Sequence, residues 1–399
     1  MKKSLIALAV AGALVAPVAM ADVTIYGQAN VSYDMVNNGN TAAATAADVA
    51  NLAFATAPVA GAPYDAGSAT KVSSNSSRIG FKGSEDLGGG TSAVWQIEQT
   101  VNMDGGAGTG LGTRNTFAGL SSESMGTVIL GQHDTPYKLA TRGLDLFADT
   151  IADNRSLMGQ SAGGALGTGN VHDVRASDVV AYISPAMSGF SAVVGYVAGA
   201  ENVTNSAQVK GSGWSLAGMY NAGPVNASLS YQTVDGGSVT TNTGVPFAGV
   251  GLTAGAANKV KAWKLGGGYT MDAFQVNAVY ESTSSSFGGV DTAAQKNWYL
   301  AGKFNVSASD AVKLAYTRAG KNPQGGVLGD VVDSEANQLS LGYDHAMSKR
   351  TTVYALYSKL NNGTAAAYGF TGAATTGGSV ATLQGADPSV WSLGMKHSF

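Results

Sequence analysis

Cysteine is absent from the 399 residues, which excludes disulfides, thiolate zinc sites and cysteine-held iron–sulfur clusters. Charge is scarce as well: Asp, Glu, Lys and Arg make up 12% of the chain, about half the ~25% usual in soluble domains. With 23 Lys and Arg against 26 Asp and Glu, there is no basic surplus for engaging phosphates, so no nucleic-acid partner is expected. Histidine occurs only as His133, His172, His345 and His397. The adjacent His172-Asp173 has no Gly-x-Ser-x-Gly elbow, no H-E-x-x-H spacing occurs, and glycine-rich Gly105–Thr113 leads into no Gly-Lys-Ser/Thr. No catalytic residue, metal site or cofactor is therefore expected. What is abundant is glycine, 55 residues without a period of three, beside a hydrophobic content of 44% that is too high for a disordered chain.

Long apolar runs are also few. The first is Leu5 to Ala16, preceded by Lys2 and Lys3 and followed by Ala19-Met20-Ala21. This is the layout of a secretory signal peptide over residues 1–21, with cleavage expected after Ala21. A second stretch, Val179 to Ala200, carries no formal charge, but Pro185 and Gly189 interrupt it and its apolar residues recur at every second position. It reads as two strands around a turn.

That period of two runs through the chain. Val23, Ile25, Ala29, Val31, Tyr33 and Met35 alternate with Thr24, Gln28, Asn30, Ser32 and Asp34. The same pattern returns at Trp95 and Ile97, at Trp214, Leu216 and Tyr220, and at Trp263, Leu265 and Tyr269, and continues to the C-terminus. Short connections (Glu85–Gly90, Ser122–Gly126, Pro185–Gly189, Asn221–Pro224, Met271–Ala273, Ser307–Asp310, His345–Arg350) alternate with eight long ones rich in Gly, Ala, Thr and Asn. Fifteen connections join sixteen strands. The expected fold class is all-β: one transmembrane antiparallel β-barrel domain over residues 22–399, with short periplasmic turns and long extracellular loops. A soluble β-sandwich also alternates, but would not place Tyr, Trp and Phe near strand ends opposite a face of amides, hydroxyls and charges.

Several strings resemble one family, the trimeric general porins of the proteobacterial outer membrane: DVTIYGQANVSYD, SRIGFKGSEDLGGG, RNTFAGL, GTVILGQHDTPY, RASDVVAYISP, GYDHAMSKRTTVYALYS and the terminal WSLGMKHSF. The resemblance spans the mature chain. It implies a passive channel for ions and small hydrophilic solutes, a homotrimer surrounded by outer-membrane lipid and lipopolysaccharide, and delivery by the barrel-assembly machinery. In the family the terminal aromatic strand is the assembly signal, which here is Trp391, Leu393, Met395, His397 and Phe399. A substrate-selective channel and a non-conducting, adhesin-like barrel are the alternatives.

A barrel of ~16 strands leaves a lumen that its side chains cannot fill, so selectivity needs a constriction. The connection His133 to Asp173 far exceeds the usual ~4–6 residues and holds Asp145, Asp149 and Asp153. By order it is the third long loop, which in the resembling porins folds into the lumen. Strand parity puts Arg78 on the polar face with Lys82, Arg114 opposite Phe117, and Arg175 in phase with Val179. By resemblance Arg78, Arg114 and Arg175 form a basic wall facing the loop carboxylates, with Lys82 a further member. A bulge would upset that parity, and the sign of ion selectivity does not follow from the inward charges.

Overall fold

The structure, a computed structural model, describes residues 22–41, 64–65, 67–105, 111–159, 172–198, 212–238, 257–287, 290–291, 293–323, 330–370 and 383–399. The expected signal peptide, 1–21, lies outside them. Sixteen long strands follow in chain order. They are β1 (Asp22–Asn37), β2 (in two segments, Ser68–Ser74 and Arg78–Gly88), β3 (Thr91–Thr100), β4 (Thr116–Ser122), β5 (Gly126–Asp134), β6 (Arg175–Ile183), β7 (Phe190–Val197) and β8 (Ser212–Ala222). Then come β9 (Val225–Ser238), β10 (Ala257–Met271), β11 (Phe274–Phe287), β12 (Gln295–Asn305), β13 (Asp310–Ala319), β14 (Ala336–Ala346), β15 (Thr351–Asn362) and β16 (Ser389–Ser398). Each pairs antiparallel with its neighbour in sequence, and β1 pairs with β16 from Gln28↔Ser398 to Asn37↔Ser389, which closes the barrel. The seven short and eight long connections fall where the sequence pattern puts them.

The alternation sorts the side chains opposite to a soluble protein. In β12, Trp298, Leu300 and Phe304 are exposed on the outside, while Gln295, Asn297 and Tyr299 are buried within. Cross-strand aromatic pairs form two levels on the outer wall. Phe190–Tyr220 and Phe274–Phe304, with ring centroids 4.5 and 4.6 Å apart, lie by the short turns; Tyr196–Trp214, Trp263–Tyr280, Trp298–Tyr316 and Tyr357–Trp391 lie toward the long loops. Trp298 and Phe304 are six residues apart, roughly 20 Å along a strand. Such girdles flank the apolar band of an outer-membrane barrel, where the amphipathic rings meet the lipid headgroups.

Two irregularities reset the parity near the lumen arginines, besides register shifts close to strand ends at Asp86/Gly88 and Asp235/Gly237. Between Val31↔Ser74 and Gln28↔Arg78, three residues of β2 oppose two of β1, with Ser76 at φ 57°. Inward positions therefore change from odd (Ser73) to even (Arg78), and the freed backbone groups are taken up by Asn30 and Ser77. Between β5 and β6 the register shifts from Gly131↔Val179 to His133↔Ala176, so that β6 carries one extra residue there, with Asp178 at φ 57°.

Candidate functional site

The long connection between β5 and β6 begins with a short helix, α1 (Pro136–Arg142). Thr135 caps it by accepting from the Lys138 backbone N–H, and Pro136 occupies the first turn, where its missing N–H costs nothing. The helix lies against the inner face of β8 to β10, with Tyr137 N donating to Ser215 Oγ at 2.9 Å. Both ends of the connection meet one buried patch of wall. Tyr137 Oη donates to Glu281 Oε2 (2.9 Å), Gly159 N donates to Glu281 Oε1 (2.8 Å), and Lys264 Nζ lies 2.5 Å from Asp173 and 3.4 Å from Glu281. These partners compensate a lysine and a glutamate that are almost fully buried.

Further along, the segment packs on the opposite part of the inner wall. Asn277 donates to Leu144 O, Tyr299 Oη accepts from Leu146 N and donates to Asp145 Oδ1, Gln338 donates to Ala152 O, and Asn30 donates to Asp149 O. Leu144, Phe147, Ile151, Leu157 and Met158 are buried with Val279, Tyr299, Ala301 and Leu356. At about 1.5–3 kcal/mol for each such side chain, their burial is worth on the order of 10 kcal/mol before the entropy of ordering the loop. Gly342 makes room for the Phe147 ring, and Gly266 and Gly268 for Leu144. A Cβ at any of the three would come within 3.0 Å of these side chains and force them to shift.

Its charges form a continuous alternating chain from the segment to the wall. Arg155 Nη2 lies 3.0 Å from Asp153; Arg142 Nη2 lies 2.7 Å from Asp153 and 2.9 Å from Asp149; Arg78 Nη1 lies 3.3 Å from Asp149. Glu98 then joins Arg78 (3.9 Å) to Arg114, whose Nε donates to Glu98 Oε1, and Tyr26 Oη donates to the other Glu98 oxygen. Asp145 branches from Arg142 at 3.6 Å. Asp149 sits at φ 58°, a left-handed conformation that Asp tolerates better than most residues. Burial opposes its ionisation, but Arg142 and Arg78 outweigh burial and hold its pKa at about 2. Asp145 goes the other way: burial first, then the Asp153 charge, push it up to about 6.

The four expected basic residues separate. Of the four, Arg78 alone meets one of Asp145, Asp149 and Asp153 directly. Arg114 is occupied by Glu98 on the wall. Phe117 does not oppose it across the sheet: that ring packs inward with the Ile129 cluster, because Arg114 precedes β4 and strand parity does not extend to it. Arg175 pairs with Asp134 at 3.0 Å and donates to Asn115 Oδ1 at 2.6 Å, at the end of the loop. The β6 bulge separates it from Val179, so its contacts fix its place where parity does not. Lys82 stands toward the short turns, its Nζ 5.4 Å from the centre of the Tyr26 ring. Asp145, Asp149 and Asp153 do converge, though on Arg142 of their own loop. Sequence reasoning missed that hub, the bridging role of Glu98, and the Lys264–Glu281 anchor. Strand parity puts Glu98, Lys264 and Glu281 on the inner face, but no local pattern says which inward charges meet.

His172-Asp173 is not a dyad. The Asp173 carboxylate is bound to Lys264, while burial, then Lys264, lower the buried imidazole to about 3 and keep it neutral. At the C-terminus Trp391, Leu393, Met395 and Phe399 are exposed on the outer wall, and His397 joins them with Nδ1 2.8 Å from Thr351 Oγ1.

A closed barrel with an apolar girdled exterior, a polar lumen and a long inner segment defines a channel of the bacterial outer membrane. The model of the Gram-negative porin family matches residues 7–365, and the chain belongs to that family. Outer membrane porin protein 32 of Delftia acidovorans is 27% identical over 405 residues, covering the whole of both chains. An outer membrane porin of Bordetella pertussis is 28% identical over 72% of this chain and 77% of its own. Major outer membrane protein P.IA of Neisseria meningitidis is 37% identical over 177 residues, 44% of this chain and 37% of that protein. Among solved structures, the anion-selective porin from Comamonas acidovorans superimposes with a TM-score of 0.71 at 23% identity, covering 95% of this chain and all of that one. OmpT of Vibrio cholerae does so with a TM-score of 0.61 at 15% identity, covering 95% and 98%.

Proposed function

We propose that this porin is a general diffusion channel for ions and small hydrophilic solutes, narrowed by the segment 133–173. Arg78, Arg114 and Arg175, with Lys82 below them, form the basic side of the constriction, and Asp145, Asp149 and Asp153 the acidic side. The observation that supports this reading is the Arg78–Asp149 contact at 3.3 Å, which ties the inner segment to the wall and sets a basic and an acidic side chain next to each other inside the lumen. Such an arrangement orients dipolar solutes and weights ions by sign. Preference is for anions. Lys82, Lys303, Lys349, Arg350 and Lys396 have no carboxylate within 4 Å among the described residues, and the structurally similar Comamonas porin is named as anion-selective. The chain works as a homotrimer in a bilayer of lipid and lipopolysaccharide, after loss of residues 1–21, and its terminal strand serves the assembly machinery.

Ion current through folded protein in a planar bilayer tests the channel, and the reversal potential in a KCl gradient tests the sign. Folded protein that carries no current would overturn the diffusion reading.

A further inference from the structure

On the short-turn side of the inner segment, a cavity of 460 Å³ opens beneath Gly143–Thr150. Lys303, Lys313, Lys349, Arg350 and Lys396 line it, against only two carboxylates, Asp145 and Asp344. Lys303 and Lys313 are direct cross-strand partners on the inner face, an arrangement in which like charges repel. Asp344, 2.8 Å from Lys313, relieves part of this, and the Phe147 ring 4.9 Å from Lys313 Nζ adds a weaker contact. Lys303, Lys349, Arg350 and Lys396 have no such partner among the described residues. This differs from the chain of charges above, where every arginine meets a carboxylate. Four cations with no carboxylate within 4 Å among the described residues line this one cavity, from β12, the turn after β14 and β16.

We infer that this cavity is a binding station for small oxyanions of two or more negative charges, of the phosphate type, on the periplasmic side of the constriction. The inference rests on the diffusion reading above and adds a defined site to it. Several lysines around one cavity supply an electrostatic well without the fixed fork geometry that a tight arginine clamp would give. An anion is thus held by solvated ammonium groups and leaves again, as passage through a channel requires. Because the cations lie on one side of the inner segment, the station is asymmetric: an oxyanion arriving from the short-turn mouth meets it before the constriction.

The test is single-channel current in KCl with inorganic phosphate added to one chamber at pH 8. Orientation is assigned with Met347→Cys, in the exposed short turn of this cysteine-free chain, blocked from one side by a bulky impermeant thiol reagent. Phosphate from the short-turn side is expected to reduce the KCl current at concentrations at least several-fold lower than from the long-loop side. The double substitution Lys303→Gln/Lys396→Gln is expected to raise the half-blocking concentration about five-fold or more, whereas Lys259→Gln, beside Asp235 at the opposite end of the barrel, leaves it unchanged. If the double variant does not fold, Lys349→Gln in the turn is measured instead and is expected to weaken the block. Equal block from both sides, or a block that the lysine substitutions do not move, overturns the station while leaving the channel intact. Absence of KCl current in the unsubstituted protein overturns the diffusion reading instead.

Discussion

Phe399 and Gly27 exchange both backbone hydrogen bonds, each at 3.1 Å, and the Phe399 ring covers the outer face of Gly27 where any Cβ would collide with it. The last residue of the chain thus completes the ladder with the first strand, and a residue without a side chain lets it do so. The Arg78 carbonyl lies close on the same side, so movement of the ring alone would not relieve a larger residue. Gly27→Val is expected to destabilise the barrel by about 1–3 kcal/mol, the usual range for overpacking. A lowered urea midpoint in detergent, together with loss of the compact form on unheated gels, checks this; an unchanged midpoint would show that closure does not depend on the contact.

Arg142 holds the inner segment together from within. Among the described residues, its removal leaves Asp153, fully buried, with Arg155 as its remaining ion-pair partner, and Asp145 with none. Breaking a buried pair from one side costs about 3–5 kcal/mol. Arg142→Ala should therefore raise amide exchange at Asn154 and Phe147, whose N–H groups bond to Asp145, by about a hundred-fold, while exchange in the strands stays unchanged. Arg142→Lys, which keeps the charge but loses the fork, should fall between.

Selectivity should respond unequally to the wall arginines. Arg78 faces a loop carboxylate, whereas Arg114 is already neutralised by Glu98. Replacing Arg78, Arg114 and Arg175 together by Gln should shift the reversal potential toward cations. Among the single variants Arg78→Gln should do most, changing the permeability ratio by about two-fold, and Glu98→Gln should shift it toward anions. An unchanged potential in the triple variant would reject the constriction.

The constriction should also be sensitive to pH near 6. The charge chain holds four arginines against Asp149, Asp153 and Glu98, and Asp145 adds its charge only as pH rises through about 6. Preference for anions should therefore weaken between pH 5 and 7, and Asp145→Asn should abolish that step in a titration of reversal potential. The stability signs are opposite for the two neighbours. With its native pKa above the ~3.9 of a free carboxyl, Asp145 contributes stability that is present below pH 4 and lost as pH rises through about 6. Asp149, held at about 2, contributes stability above pH 4 that is lost as pH falls through 2.

Most of the architecture is legible without coordinates because a strand has a period of two and each wall residue meets either lipid or water. Trp298 and Leu300 against Asn297 and Tyr299 therefore declare their sides locally. The same locality fails at Ser76 and Asp178, where one extra residue reverses the count, and at Arg114, which lies just outside a strand. It fails more broadly inside the lumen, where an inward charge can meet any other.

By itself, then, the sequence determined that this chain is an even-stranded outer-membrane barrel; its few charges lie in the lumen, turns and loops or, as at Lys296 and Arg318, at the long-loop ends of the outer wall. Lipid excludes charge, and the absence of cysteine leaves closure to backbone pairing. Only the tertiary structure decided that Asp145, Asp149 and Asp153 gather on Arg142, that Glu98 takes Arg114, and that Lys264 and Glu281 anchor both ends of the inner segment. Those contacts join residues more than a hundred positions apart in some cases, and their pairing depends on how far a folded loop reaches across the lumen, a distance no local pattern encodes.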